Sequence, residues 1–342
     1  MKAKACYPCE PDSKRFDLSL EDRFRLFLIR QGVALKNAFI QLHVSILLAG
    51  WTGIFGKLLS LSPGLIVFWR IVIAGSCLWA WLWFRKKLEH VTTRDKLGIL
   101  GVGALLATQW TLFYASIRYS NVSIGVVAFS SIGFFTAIIE PLMNGRRISL
   151  REVLFSLVTI LGISLIFHFD AQYRLGIILG LVGAAGAAIL AVFFKKYRAK
   201  YSSETVMSWQ LLGGFCYALV ALPVYISLMP AEPFFPVWPD TIYLLIFAIP
   251  CTLFMYLLQI QSLQHISAFT VNLSYNLEPI YSIILAMIIF DESKDLGLSF
   301  VGGVGLIALS VALQSYAVMH DNKKAKKAQV AKLNAALAKD RE

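Results

Sequence analysis

The residues best suited to chemistry form a polar run, Asn272 to Pro279, inside a long apolar stretch. Glu278 falls near the middle of that stretch, and Pro279 follows it directly. A carboxylate at bilayer depth costs at least ~2.5 kcal/mol, so it normally faces a bundle interior or a wet cavity. Proline withholds a backbone donor, and the resulting irregular turn must be covered by protein or water. Glu278 is therefore predicted to bind substrate or to load and release a proton.

Further polar side chains recur on this stretch at helical spacing. Ser274 and Glu278 share one face, and Asn272 and Asn276 share a neighbouring face. Tyr275 flanks the first face. Asn272, Tyr275 and Asn276 are candidate substrate ligands, but serine and asparagine also join membrane helices by purely structural hydrogen bonds. Both interpretations stay open.

A second ionisable residue, Arg70, lies about 10 Å along another apolar helix, counted at the helical rise. It could bind a carboxylate or phosphate of a substrate bidentately, or pair permanently with Glu278. Both roles require a side chain that faces the bundle interior. Gln109, Trp110 and Gln210 complete the candidate substrate-binding set, because ligand pockets are mostly apolar and aromatic with a few polar anchors. For the tryptophan, ordinary packing is the alternative.

The whole chain has the composition of a membrane protein. Of its 342 residues, 58% are hydrophobic and 15% are charged, whereas about a quarter of a soluble domain is charged. The net charge of +12 is spread over short loops and tails between apolar runs. This composition predicts an all-α polytopic membrane protein, and it argues against a nucleic-acid partner.

The apolar runs predict ten transmembrane helices, with Pro250 and Pro279 as candidate hinges. Of the 32 Lys and Arg residues, 27 lie in the tails and in alternate loops, and only three lie in the intervening loops. This bias predicts a multi-pass plasma-membrane protein with both termini in the cytoplasm. The predicted spans are 37–59, 63–84, 97–118, 121–142, 150–168, 175–195, 205–229, 238–262, 267–290 and 296–318.

Both terminal segments are expected to meet the anionic inner leaflet of the membrane. The segment 1–36 contains a basic, amphipathic stretch over residues 17–36 that suits a helix lying on the membrane surface, or a plain solvated lead-in. The tail 319–342 carries clustered lysines, which attract anionic lipid at about 1 kcal/mol each.

The chain also contains an internal repeat, predicted at residues 37–168 and 172–318. Laying residue 161 on residue 307 aligns Leu161–Ser164 with Ile307–Ser310, and the register holds from the third to the fifth span without a gap. Five spans is an odd number, so the second unit must enter the membrane upside down. Inverted repeats place a substrate site near the midplane, between two halves that rock around it.

Three motifs resemble the drug/metabolite transporter superfamily, in its ten-helix, EamA-type branch. They are the run Pro63–Arg70, the run Leu277–Ser282 that leads to Phe290–Glu292, and the glycine-rich run Gly302–Ser310. The first repeat departs from the family pattern, since Gly133 and Arg146 stand where the family has proline and glutamate. The resemblance implies secondary transport of a small metabolite, often outward.

The sequence therefore predicts a secondary transporter for an amino-acid-like or other small organic solute, acting by efflux and alternating access. A flippase for a lipid or lipid-linked sugar is the alternative, and a lateral opening between helices would favour it. A membrane enzyme would need clustered acids or histidines at an interface. A structural protein would bury its polar groups dry and paired. No cofactor or metal is expected, because the Cys6–Cys9 pair lacks a second pair.

Small residues recur at i+4 spacing on the sixth predicted span. They are Gly176, Gly180, Ala184 and Ala188. A ladder of this kind lets two helices approach closely. It predicts packing inside the bundle, with a homodimer interface as the alternative.

Overall fold

The computed structural model describes residues 20–145, 147–150, 173–228, 233–262, 274–275 and 277–291, with short runs within 153–165 and 298–316. Every regular element in these ranges is a helix. The helices are α1 (Leu20–Leu58), α2 (Pro63–Phe84), α3 (Thr93–Arg118), α4 (Val122–Phe129), α5 (Ile132–Met143), α6 (Arg174–Arg198), α7 (Ser203–Leu228), α8 (Asp240–Ala248), a π-helix (Ile249–Phe254), α9 (Met255–Ser262) and α10 (Glu278–Phe290).

Within the described ranges, seven helical stretches are long and apolar enough to cross a membrane. They coincide with the predicted spans one to four and six to eight. The α10 helix is a shorter apolar helix inside the predicted ninth span, and much of the fifth and tenth predicted spans lies outside the described residues. The ten-helix count and the inversion of the second repeat stay predictions. The seven stretches are Lys36–Leu58, Pro63–Phe84, Thr93–Arg118, Val122–Met143, Arg174–Arg198, Ser203–Ser227 and Asp240–Gln259.

The first helix is longer than the predicted first span. The sequence predicts a separate surface helix or a lead-in over residues 17–36, but α1 is continuous from Leu20 to Leu58. No proline occurs between these two residues, so nothing in the backbone forces the helix to end at the membrane boundary.

Two spans contain irregular turns. The predicted fourth span divides into α4 and α5, where the hydroxyls of Ser130 and Ser131 donate to the carbonyls of Val127 and Ala128, each at 2.7 Å. Serine hydroxyls that bond to nearby carbonyls compete with the helical ladder. In the eighth span the turn that contains Pro250 is π-helical. The distortion predicted at this proline thus takes the form of a widened turn.

The α3 helix is packed tightly between α6 and α7, and glycines allow the close approach. A Cβ atom on Gly103 would overlap the carbonyl oxygen of Gln210, and one on Gly213 would overlap the carbonyl of Leu100. The small-residue ladder of α6 is buried as well. A Cβ on Gly180 would lie 2.7 Å from the Cβ of Ala128. The ladder therefore packs inside the bundle, and a homodimer stays a prediction.

Polar contacts join helices at the end of the bundle that contains the loop 59–62. The Ser60 hydroxyl and backbone N–H both donate to the buried carboxylate of Asp240. The Gly64 N–H donates to the Tyr225 hydroxyl at 3.1 Å. These contacts connect the first predicted repeat with the second.

A second set of contacts joins the two predicted repeats at the opposite end. Asp95 accepts hydrogen bonds from Lys200 at 3.2 Å and from the Tyr201 hydroxyl at 2.8 Å. Lys195 forms an ion pair with Glu140 at 2.7 Å. Loops predicted to share one side of the membrane therefore meet in the structure, while the side that faces the cytoplasm stays a prediction.

Candidate functional site

The most distinctive polar group in the described bundle is the guanidinium of Arg70, which is only 3% exposed. Its Nε donates to the Thr252 hydroxyl at 2.9 Å, and its Nη1 donates to the Tyr114 hydroxyl at 2.6 Å. The rings of Trp110 and Phe247 have their centroids 3.9 and 4.4 Å from its Cζ. Two hydroxyls and two aromatic rings therefore hold the cation in one orientation. We call this arrangement the guanidinium box.

Three elements meet at the guanidinium box, and each supplies its residues through local geometry. Trp110 and Tyr114 are one turn apart on α3, so their side chains share a face. Phe247 ends the regular part of α8, and Thr252 lies in the π-helix that follows. The Thr252 hydroxyl also donates to the Phe247 carbonyl at 3.0 Å. Single-turn π-helices are frequent at functional sites.

Among the residues that the structure describes, no carboxylate is in direct contact with the positive charge of Arg70. Glu278 interacts with it electrostatically, but no ion pair within 4 Å joins the two residues, both of which the structure describes. A guanidinium has five N–H donors, and the two described hydrogen bonds engage one each on Nε and Nη1. The direct Arg70–Glu278 pair, left open by the sequence, is absent from this structure.

The Glu278 side chain is half-buried at the first residue of α10. Pro279 occupies the first turn, where its missing N–H costs no helical hydrogen bond. Leu277 lies in a turn that precedes the helix, and its N–H donates to the Ser274 carbonyl at 3.0 Å. The Tyr275 hydroxyl donates to Ser45 of α1 at 3.1 Å. The predicted irregular backbone beside Glu278 is thus present, and a helix N-terminus favours its negative charge.

The two glutamine candidates lie where α3 packs closely against α6 and α7, and they are not part of the guanidinium box. We call these close helix contacts the α3 seams. Gln109 is 3% exposed, and its Cβ would lie 3.1 Å from a Cβ on Gly186 of α6. Gln210 is 4% exposed, and its backbone carbonyl faces Gly103. Within the described part of the chain, Oε1 of Gln109 and Nε2 of Gln210 have no hydrogen-bond partner. Their role in substrate binding stays a prediction.

The structure thus brings together some of the predicted site residues and not others. Arg70 faces the interior, as both of its predicted roles require, and Trp110 contacts it. Tyr275 lies beside Glu278 on the chain and bonds to α1. Asn272 and Asn276 lie outside the described residues.

Sequence reasoning misses three members of the guanidinium box, namely Phe247, Tyr114 and Thr252. Tyr114 belongs, by sequence, to the mid-span aromatic residues whose best explanation is packing, although it follows Trp110 by one helical turn. Thr252 does not stand out in the sequence, and its signal is a hydroxyl two residues after the mid-span proline Pro250. Both hydroxyls satisfy the arginine without neutralising its charge.

A separate groove lies between α2, α3 and α7, with a volume of about 160 Å³. Its two threonines donate their hydroxyls to carbonyls of their own helix, each at 2.9 Å. The groove contains no ionisable Asp, Glu, Lys or Arg and none of the predicted site residues. Its lining is Gly64, Val67, Phe68, Ala107, Thr108, Thr111, Leu112, Tyr217, Ala218, Ala221, Leu222 and Tyr225.

Comparison with known proteins identifies the family of this chain. The model of the EamA-like transporter family matches residues 37–168 and, a second time, residues 174–316. The chain belongs to the EamA-like transporter family. The two matched segments of this EamA-family protein have nearly the same bounds as the two predicted repeats, and the inversion between them is not addressed by the match.

Curated relatives carry the same general description. A Haemophilus influenzae protein named "Uncharacterized transporter" is 27% identical over 157 residues, which is 43% of this chain and 51% of that protein. The chain thus aligns with about half of that relative's length. An Archaeoglobus fulgidus protein, also named "Uncharacterized transporter", is 23% identical over 80% of this chain and 96% of its own length.

A solved crystal structure shares the fold. It superposes with a TM-score of 0.55 at 16% identity, over 83% of this chain and 98% of that chain. At this identity the likeness concerns the fold alone. Family, relatives and apolar helices together show that the protein is a multi-pass membrane transporter of the EamA family.

Proposed function

We propose that this protein is a secondary transporter that exports a small organic solute bearing a carboxylate, either amino-acid-like or of another skeleton. Arg70 is the anchor for the carboxylate. The observation that carries the proposal is a buried guanidinium held by neutral hydroxyls and aromatic rings, with no carboxylate in contact.

The shape of the guanidinium box supports an anchoring role. Trp110 and Phe247 stand near the guanidinium, and hydroxyls engage its Nε and Nη1. In the transport cycle that we propose, opening of the bundle exposes the terminal nitrogens, which can then bind a carboxylate in the guanidinium plane. Because the side chain is fixed before binding, little rotamer entropy is lost when the anion arrives. A solute with an apolar body also suits the surrounding aromatic core.

Alternating access gives the two sets of end contacts a role. In this mechanism the bonds at Ser60–Asp240 and those at Asp95–Lys200 break in turn, so that the central site opens to one side at a time. The irregular backbone at Pro250 and Pro279 lies beside Arg70 and Glu278, where a hinge would couple binding to rocking.

A lipid flippase is the second candidate, and the groove between α2, α3 and α7 favours it. The groove is apolar and sits in three membrane-crossing helices. A flippase must also carry a polar head group, which is costly to bury without partners. Since neither the groove nor its lining provides a charged partner, we rank this candidate second.

The test is metabolite loss from proteoliposomes loaded with a whole-cell extract. We expect a few carboxylates to leave vesicles that contain the wild-type protein, and about a 100-fold slower loss with Arg70→Gln, because a buried charge contact is removed. Arg85→Gln, an exposed arginine of the same region, is the matched control and should behave as wild type. Wild-type rates with Arg70→Gln would overturn the assignment.

A further inference from the structure

We propose that the transported species is an organic monoanion that moves together with one proton, and that Glu278 carries this proton. The inference deepens the proposed transport function and rests on it. It follows from the opposite charges of Arg70 and Glu278, which interact electrostatically, and from the need to keep the bundle interior neutral.

The charges of the empty site compensate each other. Arg70 is positive and, in our proposal, Glu278 is ionised before substrate binds; the two interact electrostatically without forming a contact ion pair. Among the described residues, the other titratable groups that interact with this pair are the phenols of Tyr114 on α3 and Tyr275 beside α10 and the thiol of Cys251 in the π-helix, all neutral at ordinary pH. Lys57 of α1 lies over the ring of Phe290, at the far end of α10. The local sum is therefore zero.

Binding a monoanion disturbs this balance. A carboxylate that docks on Arg70 leaves the site with two negative charges and one positive charge. An unpaired charge in a desolvated interior is strongly unfavourable. One proton taken from water by the Glu278 carboxylate restores neutrality, so the loaded site holds Arg70 as a cation, the substrate as an anion and Glu278 as a neutral acid. Release of the substrate reverses both steps.

The absence of a direct Arg70–Glu278 bond makes this exchange feasible. The bonds to Thr252 and Tyr114 keep the guanidinium in place whether the compensating charge is Glu278 or the substrate. Two N–H donors of the guanidinium thus stay hydrogen-bonded to neutral hydroxyls. The incoming carboxylate need not first break an ion pair. Both end states of the cycle are electroneutral.

The requirement that the site stay neutral separates three classes of substrate by the number of protons that must bind with each. A monoanion requires one proton. A zwitterion brings its own positive charge and requires none. A dianion requires two protons, and the Arg70–Glu278 pair includes only one carboxylate to take them. The inference therefore selects hydroxy acids and other monocarboxylates over amino acids of the same size and shape.

The experiment uses matched pairs of probes in proteoliposomes that contain the full chain. The hydroxy acids lactate, 4-methyl-2-hydroxypentanoate and phenyllactate are compared with alanine, leucine and phenylalanine, which have the same skeletons. We expect at least one hydroxy acid to cross with one proton, recorded by a pH dye, and faster than its amino-acid partner. Empty vesicles correct for passive diffusion.

An imposed membrane potential tests the neutrality of the cycle. A pH gradient should drive net uptake of the hydroxy acid, whereas 100 mV should change the rate less than about twofold, because a single uncompensated charge would respond about 50-fold. In Glu278→Gln, exchange of hydroxy acid for hydroxy acid should persist while proton movement is lost. Glu204→Gln, a glutamate in the first turn of α7, should keep both.

The outcomes distinguish this inference from the transport function itself. Uptake of amino acids alone, uptake of a hydroxy acid without a proton, or proton movement that survives Glu278→Gln would overturn the inference. So would failure of all three hydroxy acids. In each of these cases, Arg70-dependent loss of metabolites from extract-loaded vesicles would leave the proposed transport function standing.

Discussion

The guanidinium box and the α3 seams place opposite demands on the side chains of one helix. Trp110 and Tyr114 of α3 surround a buried cation, whereas Gly103 of the same helix lets α7 approach until a Cβ would overlap a carbonyl. The box depends on the hydroxyls and aromatic rings of its side chains, whereas the seam depends on glycines, which have no side chain. Substitutions in the box should therefore change transport, and substitutions in the seam should change folding.

The largest effect is expected in the seam, from Gly103→Ala. The new Cβ would overlap the Gln210 carbonyl oxygen and lie 2.7 Å from the Gly214 nitrogen, and backbone atoms of a packed helix cannot move aside cheaply. We expect a loss of more than about 3 kcal/mol in stability, above the usual range for overpacking. Folded protein, measured by size-exclusion chromatography, should nearly disappear.

The matched control for this substitution is Gly101→Ala, two residues earlier on α3. Nothing lies within 4 Å of a Cβ at Gly101. Alanine also favours a helix over glycine by about 1 kcal/mol. This variant should be at least as stable as wild type, and equal damage from both alanines would show that the seam is not what limits packing.

An intermediate effect is expected in the box, from Thr252→Val. The change removes the hydroxyl that accepts from Arg70 and donates to Phe247, at nearly constant volume. Losing a hydrogen bond to a charged group costs about 1.5–3 kcal/mol, or roughly a 10- to 100-fold weaker apparent affinity for substrate. Transport assays over a range of substrate concentrations would measure it.

Thr252→Ser separates the hydroxyl from the side-chain shape. Serine keeps the oxygen and loses only the methyl group, so its apparent affinity should stay within about threefold of wild type, as expected below ~0.7 kcal/mol. If serine and valine weaken transport equally, the hydroxyl does not position the guanidinium.

The smallest effect is expected from Gly186→Ala in the α6 part of the seam. The new Cβ would lie 3.1 Å from the Cβ of Gln109, a side chain that can shift by a few tenths of an ångström. The gain in helix propensity, about 1 kcal/mol, offsets this crowding. Thermal unfolding should therefore change by only a few degrees, about what 1 kcal/mol produces in a protein of this size or smaller. A collapse like that of Gly103→Ala would show that all seam glycines are equivalent.

The periodicity of apolar residues predicts the helices well, because lipid and core select side chains by face. It also predicts that Arg70 points inward, since an arginine facing lipid is too costly. The partners of Arg70 are out of reach, because Tyr114 and Thr252 are 44 and 182 positions away in the chain. A single sequence does not show which distant faces meet.

The irregular turns show a second limit of sequence reasoning. Pro250 marks a distortion, but a 3.6-residue pattern has no means to predict the wider turn that brings Thr252 to the arginine. The same pattern counts residues 121–142 as one span and misses the break at Ser130 and Ser131. Gln109 and Gln210 are buried against helices that the sequence does not identify, and their predicted role in substrate binding stays a prediction.

The length of α1 gives the transporter a lever arm. Its 39 residues make a rod about 58 Å long, and the hydrocarbon core is only about 30 Å thick. The stretch from Leu20 to the residue before Lys36 extends roughly 24 Å ahead of the membrane-crossing part at the helical rise. In a rigid rod, a tilt of about 10° about the middle of the membrane-crossing part would swing the tip, roughly 40 Å away, by about 7 Å in the water phase. A small rocking motion in the membrane would therefore be amplified where a soluble probe can detect it.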